Sequence, residues 1–163
     1  MIAAAADNQS QLDGGSGYAM LSMDGLKLLI PQKQIIALEM AKDMELTQTD
    51  DCVAGYLQFN NKSWPVFCLN KKLSLINSED SLKHRFCVLL QTDNVHFGIL
   101  SEQALLLNSG ELTPQPLPEA MITVDSPLSA LTVYEGEIIC ISSAEHLTHL
   151  LPENMLSKMK KTS

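Results

Sequence analysis

Turn-forming pairs recur through this chain at short intervals, each flanked by short apolar runs. Residues 18–23 and 26–30 are separated by Asp24-Gly25, and residues 131–134 and 137–141 by Glu135-Gly136. Residues 55–59 and 63–69 flank Asn60-Asn61-Lys62, and residues 85–91 and 95–100 flank Thr92-Asp93-Asn94. Glycine reaches positive φ at no steric cost, and asparagine and aspartate tolerate it next best, so such pairs close tight hairpins. Hairpins in this succession predict an all-β chain, a barrel or a sandwich. Apolar runs such as 28–31, 86–90 and 104–107 fall far short of the ~20 residues of a membrane helix, so no direct membrane insertion is expected.

Other segments are less decided. Residues 34–40 suit a strand or a short helix, because Ile35, Ile36 and Leu38 satisfy neither period. Residues 42–51 are polar and read as a loop. Pro65 falls inside the second hairpin's return strand, which predicts an edge or a bulge, since proline donates nothing to a ladder. Residues 104–107 read as another strand, and 113–118, with three prolines in six residues, as an extended connector. Ser142-Ser143-Ala144-Glu145 has the form of a capping box, opening a short C-terminal helix over 146–151 that stops at Pro152. Residues 1–17, ending in Gly14-Gly15-Ser16-Gly17, read as a flexible leader, 18–151 as the folded domain and 152–163 as a polar tail.

Composition narrows the function. The 163 residues carry 19 acidic side chains against ten lysines and one arginine, Arg85, for a net charge of −8. Nucleic-acid binders need a basic stripe to displace counterions, so nucleic acid is not an expected partner. Residues 1–6 are apolar but lack the basic n-region of a secretory signal, and Cys52, Cys68, Cys87 and Cys140 fit reduced, buried thiols. A cytoplasmic location follows as an expectation.

No chemistry is signalled. The cysteines lie 16, 19 and 53 positions apart, without the close pairs of a structural zinc site, and His146 and His149 lack a third ligand in a known pattern. There is no Gly-x-Ser-x-Gly elbow, and the glycines of 14–17 lack the lysine of a phosphate loop. The expectation is a protein that is not an enzyme and carries no catalytic residue, cofactor or metal.

What remains is surface for partners. Tyr56, Phe59 and Trp64 cluster on the second hairpin of a chain that is only 5% aromatic. Alternation puts Tyr56 and Gln58 on one face and Leu57 and Phe59 on the other; across the turn Trp64, Val66 and Cys68 share a face. Aromatics on a barrel more often fill its core than serve as an interaction hot spot.

The run Gly55-Tyr56-Leu57-Gln58-Phe59-Asn60-Asn61-Lys62-Ser63-Trp64-Pro65-Val66-Phe67-Cys68-Leu69 resembles the signature of the CheW-like chemotaxis coupling family, approximately G-x-x-N-L-R-G-x-x-x-P-V-x-D-L. Residues 20–30 resemble that family's first hairpin, 85–100 its central hairpin with Gly98 in place, and 131–151 its closing hairpin and helix. Order and spacing of the four segments carry the resemblance, over most of 18–151. It implies two five-stranded, SH3-like β-barrels packed side by side over an apolar seam, with a short C-terminal helix.

The resemblance also implies a non-enzymatic adaptor that couples a chemosensory histidine kinase, through its regulatory domain, to the cytoplasmic tips of chemoreceptors. The signature arginine falls on Asn60, its glycine on Asn61, its asparagine on Gln58 and its aspartate on Cys68. An upstream acidic position falls on Ala37, with Glu39 two residues away, and a V-D pair becomes Ser101-Glu102. Glu39, Tyr56, Gln58, Asn60 and Asn61 are the expected partner-binding residues. The competing expectation is a β-barrel binding module or structural subunit that has lost kinase coupling, marked by an enclosed pocket between the barrels.

Overall fold

The computed structural model describes residues 17–46, 53–70, 73, 75–76, 85–123 and 125–153. Nearly all regular structure is β, in two sheets. The first contains β1 (Gly17–Met23), β2 (Leu26–Pro31), β10 (Gln103–Asn108), β11 (Ala130–Tyr134) and β12 (Glu137–Ile141), in the order β10-β1-β2-β12-β11. The second contains β3 (Ile35–Met40), β4 (Glu45–Leu46), β5 (Gly55–Phe59), β6 (Lys62–Leu69), β8 (Phe86–Gln91) and β9 (His96–Ser101), in the order β3-β8-β9-β6-β5-β4, with β7 (Leu75–Ile76) paired to β6. The second sheet is thus inserted between β2 and β10 of the first.

Each sheet curls into a barrel-like half. In the first, Gln115, downstream of β10, bridges Leu131 of the far strand β11. In the second, the outermost strands β3 and β4 are consecutive in the chain, joined by one 3-10 turn (Ala41–Asp43). Parallel pairs join the hairpins within each half: β2 with β12, and β6 with β9.

The hairpin expectations match closely, and the differences have local causes. Residues 34–40 resolve as strand β3, with a bulge between Ile35 and Ala37 that extrudes Ile36 and explains the broken period. The loop expected over 42–51 holds part of the Ala41–Asp43 turn and strand β4; residues 47–51 lie outside the described part. Gly17, expected in the leader, begins β1, and residues 1–16 and 154–163 lie outside the described part. Pro65 sits neither at an edge nor at a recorded bulge, since β6 pairs with β5, β9 and β7. It is tolerated because the ladder to β9 begins at Val66, one residue beyond the missing N–H.

The helix is shorter than expected and capped one residue later. α1 (Ala144–Leu147) passes directly into a 3-10 turn (Thr148–Leu150), and Ser143 is the N-cap, its Oγ accepting the His146 N–H at 3.1 Å. Glu145 does not close a capping box. Its carboxylate accepts a bond from Gln34 Nε2 at 2.8 Å, while Gln34 Oε1 accepts the Ala144 N–H at 2.8 Å, so a side chain 110 residues upstream caps the helix.

Three apolar clusters account for the strand sequences. One fills the five-stranded half, with Met20, Leu29, Ile139 and Ile141. One fills the other half, with Leu57, Trp64, Val66, Cys68, Cys87, Leu89 and Leu100. The third is the seam, where Leu21, Met23, Leu28 and Ile30 of the first sheet meet Phe67, Val88, Leu90, Phe97 and Ile99 of the second, with Ala144 and Leu147 of α1. Alternate residues of β2, β6, β8 and β9 therefore serve different cores, and both faces are buried. Such strands read as continuous apolar runs instead of alternating ones.

The chain crosses between halves twice: through the 3-10 turn Gln32–Gln34 between β2 and β3, and through the single residue Glu102 between β9 and β10. The buried Ser101 stitches the second crossing to β1: its Oγ accepts the Ser22 N–H at 3.0 Å, and the Glu102 N–H donates to the Ser22 carbonyl at 2.8 Å.

Because the seam belongs to both halves, they are expected to unfold together. Fluorescence of the single tryptophan, Trp64 in the seven-stranded half, and far-UV circular dichroism should report one coincident urea transition; two separated transitions would show independent halves. Phe67→Ala should lower stability by about 3–5 kcal/mol without splitting that transition. Gly98 gives a second check, because a Cβ there would lie 2.7 Å from Cys87 Sγ and 3.2 Å from both Leu89 Cδ2 and Val66 Cγ2. Gly98→Ala should cost about 1–3 kcal/mol by overpacking, and a double-mutant cycle with Cys87→Ala should recover part of it.

Candidate functional site

The second hairpin, β5–β6, presents a polar tip on an apolar base. Asn60 and Asn61 both adopt positive φ, +52° and +63°, in a two-residue turn between the paired Phe59 and Lys62. That geometry is the primed turn that matches strand twist, and asparagine supplies it without glycine. Beneath the turn Trp64 is 2% exposed, and its Nε1–H donates to the Phe59 carbonyl at 3.2 Å. Phe59 meets its ring edge-on at 6.2 Å between centroids, and His96 does so at 4.9 Å from β9.

Leu57, Trp64, Val66 and Cys68 point into the barrel half with Phe59 packed on them, while Tyr56 and Gln58 point out. Tyr56, half-buried opposite Pro65, leans on the seam cluster; Gln58 is exposed opposite Ser63. Gln58, Asn60 and Asn61 thus gather at one end of this half, with Tyr56 further along the same face.

Glu39 is not brought to that group. It sits half-buried on β3 opposite Cys87, which pairs with Leu100, a register level with Cys68 at the far end of β6. It therefore lies about 20 Å along the strand direction from the turn, at ~3.3 Å per residue. Burial, with the Glu39 carboxylate adding to it, pushes the Cys87 thiol up to about 12, which leaves it protonated and inert. Cys68 is also a buried thiol, and Cys140 a half-buried one.

A neighbouring feature had no sequence signal. Lys62, Ser63, Gln91 and His96 line a shallow cleft of about 330 Å³ with the turn residues Thr92–Val95. His96 enters it only because β9 lies beside β6, a parallel pairing that local pattern does not encode. Burial lowers its pKa, opposed by a contact at 3.4 Å with the Ser63 carbonyl and reinforced by Lys62. A second cleft of about 310 Å³, on the five-stranded half, is lined by His146 and His149, whose rings lie 6.4 Å apart, with Leu117 and Leu128. Among the described residues no group of three or more His, Cys, Asp or Glu is placed to hold a metal ion, and no helix is long and apolar enough to cross a membrane.

Two nested β halves, the inner one inserted through the outer, a seam between them and a short closing helix form a specific architecture. Among solved structures it is similar to the scaffolding protein TtCheW from Thermoanaerobacter tengcongensis, with a TM-score of 0.56 over 82% of this chain and 92% of that one. The fold is CheW-like. Sequence identity to that structure is 12%, no family model matches the chain, and no curated protein sequence matches it.

On this CheW-like fold the departures from the signature have clear local consequences. Asn61, at the signature glycine, meets the glycine's requirement with φ of +63°. Cys68, at the signature aspartate, is fully buried, where a carboxylate would need partners that a thiol does not. Asn60 leaves the exposed tip without the signature's positive charge.

His96 makes the region pH-sensitive. Its folded pKa lies below its unfolded value near 6.5, so its contribution to stability is complete above that pH and is lost as pH falls towards the folded pKa. Urea midpoints should fall on acidification below about pH 6.5, and His96→Gln should flatten that slope. An unchanged slope would assign the acid sensitivity to other groups.

Proposed function

We propose that the chain is a non-enzymatic adaptor of chemosensory two-component signalling, acting in the cytoplasm. On this reading it couples a histidine kinase, through the kinase's regulatory domain, to chemoreceptor tips by protein–protein contacts alone. The observation that carries the proposal is the CheW-like fold together with the rigid β5–β6 hairpin at the signature position. A turn held by strand pairing below and by Trp64 beneath it loses little conformational freedom on docking, which favours a small polar contact. Tyr56, Gln58, Asn60 and Asn61 form that contact, and Glu39 contributes an acidic rim residue at the other end of the same sheet.

The competing reading, a barrel that binds a small ligand, calls for an enclosed pocket between the halves. Among the described residues, side chains of the seam cluster pack between the halves, and the two clefts described above open to solvent. Clefts this open would leave much of a small molecule in water, whereas ligand pockets bury most of their ligand's surface.

Calorimetric titration with the regulatory domain of a chemosensory histidine kinase tests the proposal. Binding is expected, and Asn60→Arg should strengthen it about tenfold, the scale of one charge-assisted hydrogen bond of ~1.5 kcal/mol. Unchanged affinity in that variant would remove the turn from the contact. Co-purification that recovers neither a histidine kinase nor a receptor-like coiled coil would overturn the adaptor reading.

A further inference from the structure

Beside the asparagine turn the chain carries an amine that none of the described residues neutralises. Lys62, directly after Asn61, is exposed and has neither an ion pair nor a side-chain hydrogen bond among the described residues, whereas Lys27 is paired with Glu137. Lys62 lines the shallow cleft that β6 and β9 form with the turn after β8.

His96 lines the same cleft, and its ring can act with Lys62 only when protonated. A neutral imidazole has one N–H and a carbonyl only accepts, so the 3.4 Å contact with the Ser63 carbonyl assigns that proton to Nε2. Nδ1 is then a bare acceptor, and no described residue bonds it. A carboxylate, which also only accepts, is repelled by that lone pair; once Nδ1 is protonated it becomes a charged donor. The groups packed on the ring do not cancel that charge. Gln91 of β8 lies opposite His96 and Trp64 of β6 meets its ring edge-on, and neither ionises. Two charged residues besides His96 line the cleft. Lys62 acts electrostatically on His96, while Asp93 neither pairs with Lys62 nor counts among the charges acting on the ring.

We infer that the Lys62–His96 cleft receives an acidic side chain of the partner, and that protonation of His96 tightens the contact. The inference rests on the adaptor reading and gives that contact its chemistry: a carboxylate from the kinase's regulatory domain. Asparagine at position 60 leaves the tip uncharged, so the cation of this hairpin stands two residues further on, at Lys62. The amides of Gln91 and Asn94, which also line the cleft, are of a type that donates to carboxylates. A bound carboxylate favours the charged imidazole, so binding takes up a proton and affinity rises as pH falls.

Calorimetric titration of the full chain with a chemosensory kinase regulatory domain tests this at about pH 7.5 and about pH 5.5, where carboxylates stay ionised. Wild-type affinity should rise severalfold on acidification, with proton uptake read as a heat that depends on the buffer's ionisation enthalpy. His96→Gln should remove both the rise and the uptake. Lys62→Gln should weaken binding about fivefold at either pH, the upper range of one exposed ion pair, and Lys62→Arg should restore it. Lys33→Gln, at an exposed lysine outside the cleft, should leave affinity unchanged. Circular dichroism confirms that each variant folds. Binding undiminished in Lys62→Gln, wild-type binding that ignores pH, or a pH response that persists unchanged in His96→Gln would overturn this inference and leave the adaptor reading standing. Absence of wild-type binding at both pH values would overturn the two together.

Discussion

Phe67 and Phe97 meet edge to face, 6.4 Å between ring centroids, within a seam that both halves of the molecule use as core. A half of this size, standing alone, would have a small interior: among the described residues, six buried ones form the core of the five-stranded half. Small domains bury too little apolar surface to offset chain entropy comfortably, and sharing a seam is one solution. The helix α1 belongs to that solution, since Ala144 and Leu147 close the seam while Gln34 and Ser143 satisfy the helix N-terminus above it.

The seam also dictates what can be exposed. Strands committed to two cores have no free face, so contacts with other molecules fall to hairpin tips and to strand faces beyond the seam. The β5–β6 turn and the exposed Val133–Ile138 pair of β11–β12 are two surfaces left outside the seam, and they differ in chemistry. The first is polar, set on a buried tryptophan. The second is aliphatic.

Much of the fold was legible from residue pattern. The hairpins at Asp24-Gly25 and Glu135-Gly136 are specified by local turn chemistry, and all four of these residues take positive φ. The same logic located the Asn60-Asn61 turn, and alternation correctly divided Leu57 and Phe59 from Tyr56 and Gln58. The failures were non-local. Pro65 was assigned to an edge or bulge because proline cannot donate, but the decisive fact was where the β6–β9 ladder begins. The helix cap shifted because Gln34, distant in sequence, took the places that a local capping box would have filled.

By itself the sequence determined the hairpins, the inward and outward faces of the second hairpin and the acidic balance, because turn conformation, alternation and charge are local properties. It could not determine that β2 lies beside β12 or β6 beside β9, since parallel pairing depends on contacts between distant segments. Those pairings alone bring His96 against Trp64 and set Cys140 beside Leu28. They also place Glu39 at the far end of the sheet from the asparagine turn. The surfaces available to partners were therefore decided by tertiary structure, because two cores competing for the same strands settle which side chains are left outside.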